Sequence, residues 1–415
     1  MLEISITRGL LLAGLSTPFF VPTPSFADFF EDSKATLELR NFYFNRDFRQ
    51  DTAAQSYTEE WAQGFKLRYE SGFTEGTVGF GLDVIGLLGV KLDTGRGRAG
   101  VGLLNVHNDG DVPSDYGKIG PTFKMRFSNS VLRYGTLTPR IPTVMTHDLR
   151  LLTQIFRGTQ LTSEEIEGLT LNIGRLTRNS QRNWSASEKI TSTNRGMTGL
   201  KETDKFDFAG MTYQWTKNLT TGYNYANLDD NYHQHFFTLT HTLPITEGQS
   251  VKTDLRFSRS SDDGDSNVDN RTMSAMFTYR LQGHAFGLAY QKLTGATGFP
   301  FIAGSDPYVP NYFLTTDFTS PNERSWQLRY DYNFAAVGIP GLTFMTRYAR
   351  GDNFRRADGS NGREWARDMD LGYVIQTGPL KNLGLLWRNG ILRNNGNGVD
   401  INEDRLIISY TIPLL

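Results

Sequence analysis

The feature that most constrains this chain is a side-chain alternation of period two, repeated from about residue 35 to the C-terminus. Phe65, Leu67 and Tyr69 alternate with Lys66, Arg68 and Glu70, and Phe123, Met125 and Phe127 with Lys124 and Arg126. Val251, Leu255 and Phe257 oppose Lys252, Asp254 and Arg256; Met273, Ala275, Phe277 and Tyr279 oppose Met276, Thr278 and Arg280. Trp326, Leu328, Tyr330, Tyr332 and Phe334 oppose Gln327, Arg329, Asp331 and Asn333. The last stretch sets Leu406, Ile408, Tyr410, Ile412 and Leu414 against Arg405, Ser409 and Thr411. Successive side chains of a strand leave by opposite faces, so each stretch reads as a strand with one apolar face. Each runs roughly ten residues, the length that crosses a bilayer at a tilt.

Connections alternate between short and long. Short ones fall at 217–218, 243–248, 337–341 and 377–382; long polar ones fall at about 93–121, 136–167, 178–204, 259–271, 293–324, 351–367 and 394–403. A transmembrane β-barrel alternates its connections in this way, and a soluble sandwich has no reason to. A propeller would show a repeat near 40–50 residues, and none is present. A soluble sheet would bury a Val-, Ile- and Leu-rich face, whereas here aromatics gather toward strand ends: Tyr43, Tyr69, Tyr134, Trp215, Trp326, Phe344, Tyr348 and Trp387. The reading is an all-β transmembrane antiparallel β-barrel of sixteen to eighteen strands, wide enough for an aqueous lumen.

Composition agrees. Lys and Arg total 43 against 44 Asp and Glu, which lacks the basic excess of a nucleic-acid binder. With 42 glycines and no cysteine, thiol catalysis, thiolate metal sites and disulfides are excluded. The one long apolar run, Leu10 to Val21, is followed by Pro22, Pro24 and Ser25-Phe26-Ala27. A short apolar core ending in small residues is a secretory signal, expected over 1–27, leaving 28–415 as a single barrel domain. The run is too short to anchor the chain across roughly 30 Å of hydrocarbon.

The face opposite lipid carries many cations: Arg40, Arg46, Lys66, Arg68, Lys124, Arg126, Arg133, Lys252, Arg256, Arg280, Arg329, Arg347, Arg388 and Arg405. Acids on the same faces are fewer, namely Glu38, Glu70, Asp254, Asp331 and Asp370. A guanidinium is permanently charged and offers a planar fork that matches a carboxylate. A series of them along a wall gives an anion successive shallow sites. The competing reading, in which these arginines only pair with acids to stiffen the wall, requires matching numbers.

Enzyme signals are weak. Gly95-Arg96-Gly97-Arg98-Ala99-Gly100 fits G-x-G-x-x-G, but no helix follows it. His233 and His235 share a strand face without a third ligand at metal spacing, and Glu164-Glu165-Ile166-Glu167 reads as a solvated rim opening a strand. An outer-membrane hydrolase would need a Ser/His pair on the lipid-facing rim, where His235 and His241 lie without a serine motif. The expectation is no enzyme, no cofactor and no metal.

Several strings give the chain a recognisable character: Leu39 to Phe48 (LRNFYFNRDF), Ser71 to Gly81 (SGFTEGTVGFG), Leu87 to Asp93 (LLGVKLD), Ser325 to Asp331 (SWQLRYD) and Gly338 to Met345 (GIPGLTFM). On these the chain resembles the OprD-type porins, outer-membrane carboxylate channels of Gram-negative bacteria, from near Phe29 to the end. The resemblance implies eighteen strands and a monomeric pore (a weak homotrimer being the other assembly), in contact with outer-membrane lipid. It also implies long extracellular loops folded inward. A basic ladder guiding substrate carboxylates would include Arg46, Arg388 and Arg405, with Arg40, Arg126 and Arg329 as further rungs. Leu386 stands where several relatives carry another basic residue. The narrow eyelet would come from the loop of about 136–160, with Asp148, and from the loop around Ser305 to Tyr308, with Asp306 and Tyr308. Passive uptake of small carboxylates, cyclic or aromatic acids ahead of basic amino acids, is the implied function.

Overall fold

The computed structural model describes residues 27–415 apart from 51–52, 54, 357–358 and 396–397; the expected leader, Ala27 excepted, lies outside the described residues. After a short helix, Ala27–Glu31, the chain forms an 18-stranded antiparallel sheet. The first strand, Lys34–Phe48, pairs with the second, Tyr57–Glu70, and also with the last, Ile401–Pro413. That last pairing closes the barrel and leaves the 18-stranded sheet without an open edge among the described residues, which is what backbone in hydrocarbon demands.

The alternation is realised as expected. Phe123 is 60 % exposed, Tyr134 64 % and Trp215 61 %, while Lys66 on the opposite parity is 1 % exposed. In water this outer skin would aggregate; in a bilayer it is the surface that faces solvent.

Strands are longer than their alternation suggested. Gln249–Asp262 and Asp269–Leu281 take up most of the loop expected at 259–271, and Leu342–Arg355 and Asn361–Val374 most of that at 351–367. Ile155–Ser163, expected to lie in a long loop, is a strand of its own. Its I-F-R-G-T-Q-L-T-S sequence lacks a clean apolar face, so periodicity missed it. Glu164 to Glu167 therefore sits in a tight connection rather than opening a strand, and Glu165 there accepts from the Ser128 and Ser130 hydroxyls.

Longer strands also bring more acid onto the inner face. Glu60, Asp83, Glu364, Asp368 and Glu403 join the five expected acids, so the cationic excess of the wall is smaller than the alternation alone implied. Glu364 and Glu403 had been assigned to loops.

The inner face is not uniformly polar. Phe42, Phe44, Ile85 and Leu87 point inward and pack with Leu103, Leu104, Leu151 and Leu152, which arrive on the connections 94–114 and 138–154. A second cluster sets Ile141 and Val144 against Leu137, Phe156, Leu176 and Ile302. Long loops fold into the lumen because the wall offers them apolar anchors there. Glu60, fully buried, adds a polar anchor by accepting from the backbone N–H groups of Gly100, Leu103 and Leu104 at 2.7, 2.8 and 3.0 Å.

A candidate constriction in the channel

Two inward segments narrow the lumen. The strand Ser130–Leu137 is only 8 residues long, after which the chain leaves the wall, makes a two-residue ribbon (Arg140–Ile141 with Val144–Met145) and returns at Ile155. The connection 295–323 enters from the far side, and Met145 and Asp306 form a β-bridge between the two. The Asp306 carboxylate then receives the Tyr312 hydroxyl at 2.8 Å and lies 2.5 Å from His147 Nδ1. Burial pushes His147 toward its neutral form, although Asp306 opposes this. A neutral imidazole donating from Nδ1 fits that geometry.

The wall opposite is organised by register rather than by position along any strand. Arg329 lies opposite Arg347, Arg347 opposite Asp368, Asp368 opposite Gly390, Gly390 opposite Glu403, and Glu403 opposite Arg46. One step along, Asp370 lies opposite Arg388, Arg388 opposite Arg405, and Arg405 opposite Phe44. Two adjacent charged rows thus run across neighbouring strands of the wall. Gly390 leaves room for the first row, since a Cβ there would press on Glu403 Cγ at 3.0 Å.

Within these rows Glu403 takes Arg46 at 2.9 Å and Arg405 at 2.5 Å, Asp370 takes Arg388 at 2.7 Å, and Asp368 takes Arg347 at 2.7 Å. Arg150, from the 138–154 segment, comes to the same place but donates to the Val101 carbonyl, with no carboxylate partner among the described residues. Arg46, Arg150 and Arg405 all lie over the Phe44 ring, at 5.4, 4.6 and 4.5 Å from its centroid. A ring face attracts cations, so Phe44 offsets part of their mutual repulsion. Five guanidiniums, Arg46, Arg150, Arg347, Arg388 and Arg405, thus face three carboxylates. Burial, then the neighbouring charges of Arg405 and Arg182, push Arg150 well below its ordinary value. The place is one of surplus positive potential. A gap of about 50 Å³ remains, lined by Arg150, Arg347, Arg388 and Arg405 together with His147, Leu149, Tyr312, Phe313 and Leu314.

The expected site residues divide into two groups. Arg46, Arg388 and Arg405 meet at the constriction, although Arg405 is 2 % exposed and donates to the Leu314 carbonyl, so it also holds the 295–323 segment. Arg40 and Asp148 lie nearby as a brace: Asp148 is held by Lys66 at 3.0 Å and by Arg40 at 3.4 Å. Burial alone would raise Asp148, but Lys66 and Arg40 outweigh it and hold the carboxylate ionised. Asp306 latches the two inward segments. Arg329 pairs with Asp331 further along the first row. Arg126 stays near the turn end over Phe73, and Tyr308 packs under Arg256 at 4.0 Å beside Phe236; neither lines the gap. Arg150 was missed. Its only sequence signal is a cation two residues beyond Asp148 in a segment already expected to fold inward.

Glu323 closes the 295–323 segment at the wall and is fully buried. A Cβ on Gly351 would meet its Oε1 at 2.2 Å, so glycine is required beside it. Burial, then the charge of Glu364, pushes Glu323 well above the ordinary carboxylate range. The folded chain therefore keeps a proton that the unfolded chain releases. Its stabilising contribution is complete below the unfolded value near pH 4 and declines as pH rises from there. Melting temperatures measured between about pH 5 and pH 8 should fall more for the parent than for Glu323→Gln. Equal slopes would remove Glu323 as the cause.

No group of three or more metal-ligating side chains is found among the described residues. Of the histidines on that face, His235 meets the Tyr223 hydroxyl and His233 that of Tyr225, each at 2.8 Å.

The family model for "outer membrane porin, OprD family" matches residues 27–414. The Porin-like protein GalP of Pseudomonas putida is 40 % identical over 393 residues, 93 % of each chain. The crystal structure of OpdQ from Pseudomonas aeruginosa is 55 % identical with a TM-score of 0.87, covering 94 % of this chain and 100 % of that one. The crystal structure of Pseudomonas aeruginosa OpdK with vanillate is 38 % identical with a TM-score of 0.87, covering 93 % and 100 %.

Proposed function

Because the chain belongs to the OprD family of outer membrane porins, which are channels and not enzymes, we propose that it passes small carboxylates across the Gram-negative outer membrane. Transport is passive and uses no cofactor, and cyclic or aromatic acids are favoured over basic amino acids. The observation that carries this reading is the unneutralised Arg150 among three other guanidiniums, Arg347, Arg388 and Arg405, lining the gap. A carboxylate entering there finds planar forks already turned to the lumen and already desolvated in part. Charge-assisted hydrogen bonds of this type are worth about 1.5–3 kcal/mol each. The wall acids keep the site from binding too tightly, since each competes for one guanidinium, and a channel substrate must also leave. That a relative has been seen with vanillate, a carboxylate on an aromatic ring, supports the substrate class.

The second reading within the family, a channel for basic amino acids, would use Asp306 and Asp148 as cation sites. Both carboxylates already accept from His147, Tyr312, Lys66 or Arg40, which counts against it. Reversal potentials in planar bilayers under a KCl gradient separate the two. The expected sign is anion-selective; a cation-selective parent channel defeats the proposal.

A further inference from the structure

We propose a second anion site, on the turn side of the constriction, in a pocket whose free cations are Arg68, Arg133 and Arg140. The pocket has a volume of about 360 Å³ and lies apart from the gap described above, sharing no lining residue with it. Its charged lining comprises Arg68, Lys124, Arg133 and Arg140 against Glu70 and Asp83. Lys124 is spent locally: it pairs with Asp83 at 2.6 Å and donates to the Ser71 carbonyl at 2.6 Å. Glu70 lies opposite Lys34 in the register of the first two strands. The guanidiniums of Arg68, Arg133 and Arg140 make no hydrogen bond or ion pair among the described residues. This contrasts with the constriction, where four of the five guanidiniums already hold a carboxylate.

Location gives the pocket its role. Arg68 is two residues from the end of its strand at Glu70, and Arg133 three from the start of its own at Ser130, so both sit toward the turn end of the wall. Arg140 opens the inward ribbon that runs on to His147 and Arg150. The pocket is therefore bounded by the wall on one side and by the constriction segment itself on the other. An anion that clears the gap meets three guanidiniums whose N–H donors have no protein acceptor among the described residues. Ile85, Leu137 and Pro139 add an apolar ledge, which suits a monocarboxylate carrying a ring or short chain. The pocket would hold the leaving substrate briefly and reduce its return through the gap.

This inference rests on the carboxylate-channel reading, and the experiment separates the two. Benzoate is added to either chamber of a bilayer holding one inserted channel, and current interruptions are timed for the parent and for the triple variant Arg68→Gln, Arg133→Gln, Arg140→Gln. Arg140→Gln alone, in the inward segment rather than the barrel wall, is the variant that keeps folding out of question; slower migration on boiling checks that each barrel is folded. In the triple variant, interruptions from turn-side benzoate should shorten about tenfold, and in Arg140→Gln severalfold, while the KCl reversal potential keeps its sign. Unchanged dwell times in both variants, or a parent with no turn-side interruptions, would overturn the second site. A parent that lacks anion preference would instead overturn the function on which it rests.

Discussion

The double variant Arg150→Ala, Arg388→Ala should lose most of its anion preference and pass benzoate many times more slowly than the parent. Arg150 contributes the charge at the gap that no carboxylate offsets. Removing Arg388 frees Asp370, which it now holds at 2.7 Å, so the second substitution also adds an uncompensated negative group beside the path. The local balance moves from two surplus cations to none. Losing one charge-assisted contact of about 1.5 kcal/mol corresponds to about tenfold in affinity, and two such losses near one gap compound. Arg405→Ala is a poorer test. Arg405 also holds Glu403 and the Leu314 carbonyl, so its loss disturbs the wall and the 295–323 segment together. Reversal potential and benzoate flux into liposomes measure the effect. A double variant with parental selectivity would mean that the wall acids, not these arginines, set the potential.

Asp306→Ala should open the channel instead of changing its sign. One carboxylate joins the two inward segments by contacting His147, which is buried, while it also receives the hydroxyl of half-buried Tyr312 from its own segment. Without it each is left with an unmatched polar group, at a cost of about 1–3 kcal/mol apiece. The Met145–Asp306 backbone bridge and the apolar contacts of Ile141, Val144 and Ile302 remain, so the barrel itself should fold. Single-channel conductance should rise about twofold or more, with larger current noise, as the segments separate. Asp306→Asn, which keeps hydrogen-bonding capacity, should fall between. Parental conductance in the alanine variant would show that the apolar anchors alone hold the constriction.

Some corrections share one cause. Alternation marks where a strand has a lipid face, but near the loop end of a strand both faces can be buried, one by lipid and one by an inward loop. Phe42, Tyr43 and Phe44 show this, since the run loses its alternation where Leu151 and Leu152 cover it. Glu364 and Glu403 are the polar counterpart. They lie in stretches too charged to look like strands, yet their side chains are matched by Thr316, Arg46 and Arg405 inside the barrel. A strand whose polar residues are satisfied by loops carries no local hydrophobic signal.

The amino-acid sequence by itself determined the barrel, its membrane solvent and its strand parity. Each of these follows from the nature of a side chain and its odd or even place in a strand. Only the tertiary structure decided which charges meet. The rows Arg329–Arg347–Asp368 and Asp370–Arg388–Arg405 arise from pairing register between strands, and the position of Arg150 from a loop crossing the lumen. Register and loop path depend on contacts between residues hundreds of positions apart, such as Arg46 with Glu403, and no local pattern in the chain encodes such a distance.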